Sequence, residues 1–334
     1  MKKILLGTVA GVLVIIVILF AYNAKRVMLF KKLGKWETVS SGKDGGLPWI
    51  TFYWNTDSIG RKMAMFVPIK IENLPDEFGC QVDVGANLSM LYGNTLKPFT
   101  GHYPILQKKL NTEIIKKDTI SYLADLHLKI GGIPFASPAV VIRQDFGDEP
   151  APDSVFANTS KYLLGNIKYV IGTVGVDICN GKVLIIDYPR NRLCIVDSVP
   201  ANYHTTYSDI TLDNQGRPVF KMEYKGKNYK IAFDCGSSIF PILALQKVAG
   251  EFSGEPATDT ISVSAWGNMI SMIGRPMKDS FTLAGHKFGN VKVYVHQDAI
   301  KENIPYGSDG LTGNILFLDK ILIIDFKNNK VGIF

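Results

Sequence analysis

Two short stretches of this chain have residue types and spacing suited to acid–base chemistry. Gln81-Val82-Asp83-Val84-Gly85-Ala86 is the first, and Ile231-Ala232-Phe233-Asp234-Cys235-Gly236-Ser237-Ser238 the second. In each, an apolar run ends on an aspartate and a glycine follows two residues later. The apolar run fixes the carboxylate at the mouth of a β-sheet. The glycine lets the chain turn sharply and brings backbone N–H groups to the carboxylate. A single Asp-Xaa-Gly is an ordinary turn; two copies in equivalent positions are more specific. If they meet, the two like charges cannot both ionise easily, so the pair holds one proton over a wide pH range. One carboxylate then acts as general base on a water, and the other, protonated, polarises a carbonyl and later delivers a proton to the leaving group. The two titrations belong to the pair rather than to either residue.

The elements that must position these loops are repeated. Gly172-Thr173-Val174-Gly175-Val176-Asp177-Ile178, continuing through Lys182-Val183-Leu184-Ile185-Ile186-Asp187-Tyr188, aligns without a gap with the C-terminus. There the match is Gly310-Leu311-Thr312-Gly313-Asn314-Ile315-Leu316, then Lys320-Ile321-Leu322-Ile323-Ile324-Asp325-Phe326. A middle block repeats as Ile130-Gly131-Gly132-Ile133-Pro134-Phe135 and Leu283-Ala284-Gly285-His286-Lys287-Phe288. The order is the same in each half: Asp-Xaa-Gly loop, glycine hairpin, Gly-containing block, Ile-Asp hairpin. Residues 63–71 and 219–224 read as strands leading into hairpins whose second strands end on the aspartates. Short helices are expected after each loop, over Asn94–Phe99 and Ile242–Gly250. Asp145–Asp153 reads as an inserted surface loop. Asp177, Asp187 and Asp325 lie on repeat strands or at their ends and read as structural. The expectation is an all-β protein, with a first half over 59–199, a second over 200–334 and a boundary near Val199–Thr206.

A charged content of 20% against 46% apolar residues marks a globular chain rather than a disordered one. The net charge of +7 owes much to lysines around one apolar segment, and without a basic patch interleaved with aromatics nucleic acid is not an expected partner. That segment, Ile4–Tyr22, carries no charge, and at 1.5 Å per residue it spans roughly 28 Å, close to a bilayer's hydrocarbon core. Its length and the poor cleavage site at Tyr22-Asn23-Ala24 favour an uncleaved anchor over a signal peptide. Residues 23–58 read as a juxtamembrane spacer that contributes a strand near Trp49–Trp54. Basic residues are denser after the segment, which by the positive-inside tendency puts the body in the cytoplasm. The Met-Lys-Lys start looks instead like a bacterial export signal, and a periplasmic or extracytoplasmic body is the expectation. Four cysteines without Cys-x-x-Cys spacing read as buried free thiols, although Cys179 and Cys194 flank a hairpin and are placed to pair across it. No zinc, phosphate-loop, dinucleotide or Gly-x-Ser-x-Gly signature is present.

At these residues the chain resembles the pepsin and retropepsin superfamily of aspartic proteases, over most of residues 60–334. The resemblance rests on Asp83-Val84-Gly85-Ala86 and Asp234-Cys235-Gly236-Ser237-Ser238. It rests too on Thr173-Val174-Gly175 and Leu311-Thr312-Gly313, which look like the family's hydrophobic-hydrophobic-Gly element behind each catalytic loop. Val174-Gly175-Val176-Asp177 followed by Ile186-Asp187 is similar to the end of many bacterial retropepsin-like domains. The resemblance implies a bilobed pepsin-like fold with a peptide cleft between lobes, no metal or other cofactor, and no obligate dimer, since both lobes are in one chain. It implies Asp83 and Asp234 as catalytic residues, with Gly85, Ala86, Gly236 and Ser237 supporting them. A flap closing over substrate is implied between each Asp loop and its middle block, with Tyr122 and Trp266 as candidates. The function implied is a membrane-anchored aspartic endopeptidase acting on peptide or protein. The family's usual hydroxyl after each aspartate, which bonds across to the opposite loop, is replaced here by Val84 and Cys235. That departure supports the alternative of a weak or inactive relative that binds a peptide or protein partner in the cleft. Ala86 cannot bond a carboxylate through its side chain whereas Ser237 can, so Asp83 is expected to be the more readily protonated partner.

Overall fold

The computed structural model describes residues 28–38, 46–115, 118–150, 167–203, 206–265, 267–296 and 307–334. The apolar run Ile4–Tyr22 and the flap candidate Trp266 lie outside the described residues. Among those described, no helix is long and apolar enough to cross a membrane.

Strands dominate the chain, as its turn-rich, β-branched sequence predicts. In the first half, Lys62–Ile71 and Phe78–Val82 form an antiparallel hairpin. Val170–Val174 then runs parallel to Phe78–Val82 and antiparallel to Met90–Tyr92, and Met90–Tyr92 runs parallel to Ile133–Arg143. The second half repeats each relation. Pro218–Tyr224 and Lys227–Phe233 form the hairpin. Gly310–Thr312 is parallel to Lys227–Phe233 and antiparallel to Ile242–Ala244, which is parallel to Lys292–His296. In both halves the late strand thus wedges between the two strands that flank the aspartate loop.

The halves join along one antiparallel pair. Val183–Asp187 lies against Ile321–Asp325 in a register that places Ile185 opposite Ile323 and is symmetric about that pair. Each of these strands carries its own hairpin partner, Arg192–Val196 and Lys330–Ile333. The principal core is continuous through both halves, from Ile50 and Phe78 to Phe233, Phe317 and Ile333. At roughly 1.5–3 kcal/mol for each large apolar side chain removed from water, this shared core is the main force holding the halves together.

Two expectations change. The repeat reaches further upstream than residue 59. Tyr53–Thr56 pairs with Lys62–Ile71, as Ser208–Leu212 pairs with Pro218–Tyr224. The connecting turns are copies of one Asp-x-x-Gly-Arg motif. Asp57 Oδ1 accepts from the N–H groups of Ile59 and Arg61, and Arg61 Nε donates to Oδ2 at 2.6 Å. Asp213 does the same with Gln215 and Arg217, also at 2.6 Å. Gly60 and Gly216 hold φ of 81° and 80°, where a side chain is strained. The strand expected near Trp49–Trp54 is present, as Ile50–Thr51, which pairs with Leu193 and Arg192, and Tyr53–Thr56. Second, Ile242–Ala244 is strand, and the helix begins only at Gln246, running to Phe252. Pairing on both sides overrides a helix-compatible local sequence. The first helix, Gly93–His102, contains the expected Asn94–Phe99. The loop after Arg143 is exposed at Asp145, Asp148 and Glu149, as expected of a surface loop, and is anchored at Phe146; its residues 151–153 lie outside the described residues. Phe146 packs edge-on against Tyr92 at 4.7 Å, and its carbonyl accepts from the Asn94 N–H.

Candidate active site

Each aspartate sits one residue beyond a strand and is pinned by the wedged late strand. The Asp83 N–H donates to Val174 O at 3.0 Å and the Asp234 N–H to Thr312 O at 2.9 Å. Each carboxylate folds back on its own turn. Asp83 Oδ1 accepts from the N–H groups of Gly85 at 2.9 Å and Ala86 at 3.2 Å. Asp234 Oδ1 accepts from Gly236 at 2.8 Å and Ser237 at 3.3 Å, and its Oδ2 also accepts from Ser237 Oγ at 2.9 Å.

The glycines bring the loops together. A methyl group on Gly85 would stand 2.4 Å from Asp234 Cγ, and one on Gly236 would stand 2.6 Å from Asp83 Cγ. Each glycine therefore lies flat against the opposite carboxyl group, and no other residue leaves that space. The two carboxyl groups thus face each other across the two glycines. Burial, then the charge of Asp234, then the hydrogen bond between them raise Asp83 well above the ordinary carboxylate range. Asp83 is only 8% exposed, whereas Asp234 is half-buried and has one more donor. Asp83 is thus the more deeply buried of the two and the one without a side-chain donor.

The two loops are tied by a thiol. The Val84 N–H donates to Cys235 Sγ at 3.1 Å, and Cys235 Sγ donates to Val82 O at 3.3 Å. Burial, followed by the charge of Asp83, pushes the Cys235 thiol far above its usual range, so it keeps its proton and can donate. Val84 returns no bond through its side chain; it is buried and faces a small apolar cavity with Val67, Val82 and Cys179. The cross-link is one-sided. All four cysteines are free and buried.

Behind the loops stand the two glycine elements. Gly175 has no room for a side chain against Leu88 and the Ala86 carbonyl, and Gly313 has none against the Ser237 carbonyl. Two different polar clusters reinforce them. Asp177 accepts at Oδ1 from the Ser89 N–H at 2.8 Å and from Ser89 Oγ at 2.6 Å, and at Oδ2 from Trp36 Nε1 at 2.9 Å. On the other side Asn314 Nδ2 donates to the Cys235 carbonyl and to Ser238 Oγ, both at 2.8 Å, while Tyr188 donates to Asn314 Oδ1 at 2.6 Å. The Asp213–Arg217 turn of the second half reaches the first loop, with Arg217 Nη1 3.5 Å from Gly85 O.

Asp83, Gly85, Ala86, Asp234, Gly236 and Ser237 therefore form one cluster. Tyr122 does not join it: it is buried with Leu29 and Ala139 in a separate small cluster, without the exposed position a flap residue needs. Gly267, beside Trp266, lies at the tip of the hairpin Asp259–Pro276, where an added methyl would stand 3.7 Å from the Phe146 ring. The tip of the second-half hairpin thus comes near the first half. Asp187 and Asp325 have structural partners, Arg190 and Arg192 for the first and the turn amides of Lys327 and Asn328 for the second. Asn314 also belongs to the site, and in the repeat it stands where the other half has Val176. Neither a protein-family model nor a curated protein matches the chain.

Proposed function

We propose that the chain is an aspartic endopeptidase of two pepsin-like lobes, tethered to a membrane by Ile4–Tyr22, with Asp83 and Asp234 as its catalytic pair. The observation that carries this reading is the close apposition of the two carboxyl groups, each against the glycine of the opposite loop. Water bound between them gives a proton to the Asp234 carboxylate as its oxygen attacks the scissile carbonyl carbon. The protonated Asp83 hydrogen-bonds to the carbonyl oxygen and stabilises the charge developing there. Collapse of the tetrahedral intermediate breaks the C–N bond, and a proton from the pair passes to the leaving amine. The chain's own groups supply both proton transfers, and the buried thiol of Cys235 supplies alignment.

A peptide-library digest with the full-length chain, from acid to neutral pH, tests the reading beside Asp83→Asn and Asp234→Asn. Cleavage by the native chain that falls about 10²–10⁴-fold in each variant is the expected result. Equal cleavage by the variants, or none by the native chain, would falsify it. The second reading, a peptide-binding protein without turnover, draws on the apolar Val84 and the one-sided cross-link. It predicts peptide retention without cleavage in the same experiment.

A further inference from the structure

The segment Leu33–Thr38 precedes the repeated halves and has no counterpart among their described residues, yet it is built into the first one. Leu33 bridges to Ala139, and Glu37–Thr38 pairs with Phe135 and Ala136. Between these anchors Gly34, at φ 68°, runs so close to the first aspartate loop that an added methyl would stand 2.8 Å from Leu88 and 3.5 Å from Asp177 Cβ. Trp36 donates its indole N–H to Asp177, and the same carboxylate holds the Ser89 N–H and hydroxyl through its other oxygen. Ser89 Oγ in turn accepts the Gly175 N–H at 2.9 Å, and the Val176 N–H donates to Ala86 O at 2.9 Å. The far side of the Asp83 loop, Ala86 to Ser89, is thus clamped between the wedged strand and the N-terminal segment. Among the described residues the Asp234 loop has no equivalent clamp: its rear support, Asn314, comes from its own half and Tyr188 from the seam.

We propose that Trp36 and Asp177 are positioning residues, through which the segment leading from the apolar run Ile4–Tyr22 holds the first aspartate loop, and only that loop, in its working geometry. The catalytic consequence rests on reading Asp83 and Asp234 as a catalytic pair; the mechanical one does not. On this view the docked N-terminal segment is a working part of the site, and detaching it releases Asp83 while leaving Asp234 in place.

The test uses the full-length chain with Trp36→Phe, which removes the indole N–H and keeps an aromatic ring, and Ser89→Ala, which breaks the same chain of bonds at its other end. Amide hydrogen exchange is read at Val84–Ser89 and, in the same molecule, at Cys235–Phe240. The expected result is exchange about tenfold faster in the first loop and unchanged in the second. Equal acceleration of both loops, or of neither, in both variants overturns the proposal, since a general loss of stability moves the two together. If the native chain cleaves peptides, kcat should fall about tenfold in Trp36→Phe with KM unchanged; an unchanged kcat overturns the catalytic consequence. If the native chain cleaves nothing, the endopeptidase reading fails, while the exchange ratio still decides the clamp.

Discussion

The two aspartate loops share one backbone and differ in almost everything around it. Both turn on a glycine that faces the opposite carboxyl, and both are pinned by a late strand entering between their flanks. The first is walled by Val84 and Ala86, is more deeply buried, and leans on Asp177, Ser89 and Trp36. The second carries Cys235 and Ser237, is more open, and leans on Asn314, Ser238 and Tyr188. Backbone symmetry brings the carboxyls together, and the side chains around them differ: Asp83 is deeply buried without a side-chain donor, and burial raises it above the ordinary carboxylate range, whereas Asp234 accepts from the Ser237 hydroxyl.

The comparison can be broken most forcefully at the glycines. Gly85→Ala and Gly236→Ala should each lower kcat on a cleavable peptide about 10²-fold or more, because the carboxyls are driven apart. If either variant works normally, the loops are not interlocked as described. Next in size is Asn314→Val, which gives the second loop the residue of the first. It strips partners from Tyr188 and from the Cys235 carbonyl, and urea unfolding should show a loss of about 3 kcal/mol.

A third test reads the proton at Asp83. A carboxyl whose folded-state affinity for protons is raised binds more protons folded than unfolded. Its contribution is therefore favourable in acid and is lost as pH rises from the unfolded carboxyl value, near 4, through the folded one. Asp83→Asn keeps an acceptor for Gly85 and Ala86 and gains a donor towards Asp234. It should unfold with a flatter pH dependence than the native chain and be the more stable of the two at neutral pH. A steeper dependence would place the shared proton elsewhere. The smallest effects belong to the thiol. Cys235→Ala should cost about 1 kcal/mol through the lost cross-link, and Cys235→Ser, which keeps a donor and an acceptor, less than that. Equal losses would show that the sulfur fills space and ties nothing.

The site was legible in the sequence where chemistry is local and repeated. The Asp-Xaa-Gly loops, the strands leading into them, the glycine elements at Gly175 and Gly313 and the matching seam strands all follow from pattern. The Asp-x-x-Gly-Arg turns were equally legible, since Asp57–Arg61 and Asp213–Arg217 repeat like the rest. What sequence could not supply was contact between residues far apart without a pattern to link them. Trp36 meets Asp177 across 141 positions and Tyr188 meets Asn314 across 126. Nor does local propensity reveal that Ile242–Ala244 is strand, because its neighbours Val293–Tyr294 and Gly310–Leu311 decide that.

The seam between the halves also bears on how the chain reaches this state. Val183-Leu184-Ile185-Ile186-Asp187 and Ile321-Leu322-Ile323-Ile324-Asp325 differ at one position, and their register is symmetric. Each strand is therefore nearly as good a partner for its own copy in another molecule as for its counterpart in the same chain. Besides the core shared by the halves, the tether between them favours the internal pairing by keeping the correct strand at high effective concentration. Refolding yield should then fall as protein concentration rises, with exchanged dimers built on the first-half strand as the competing product.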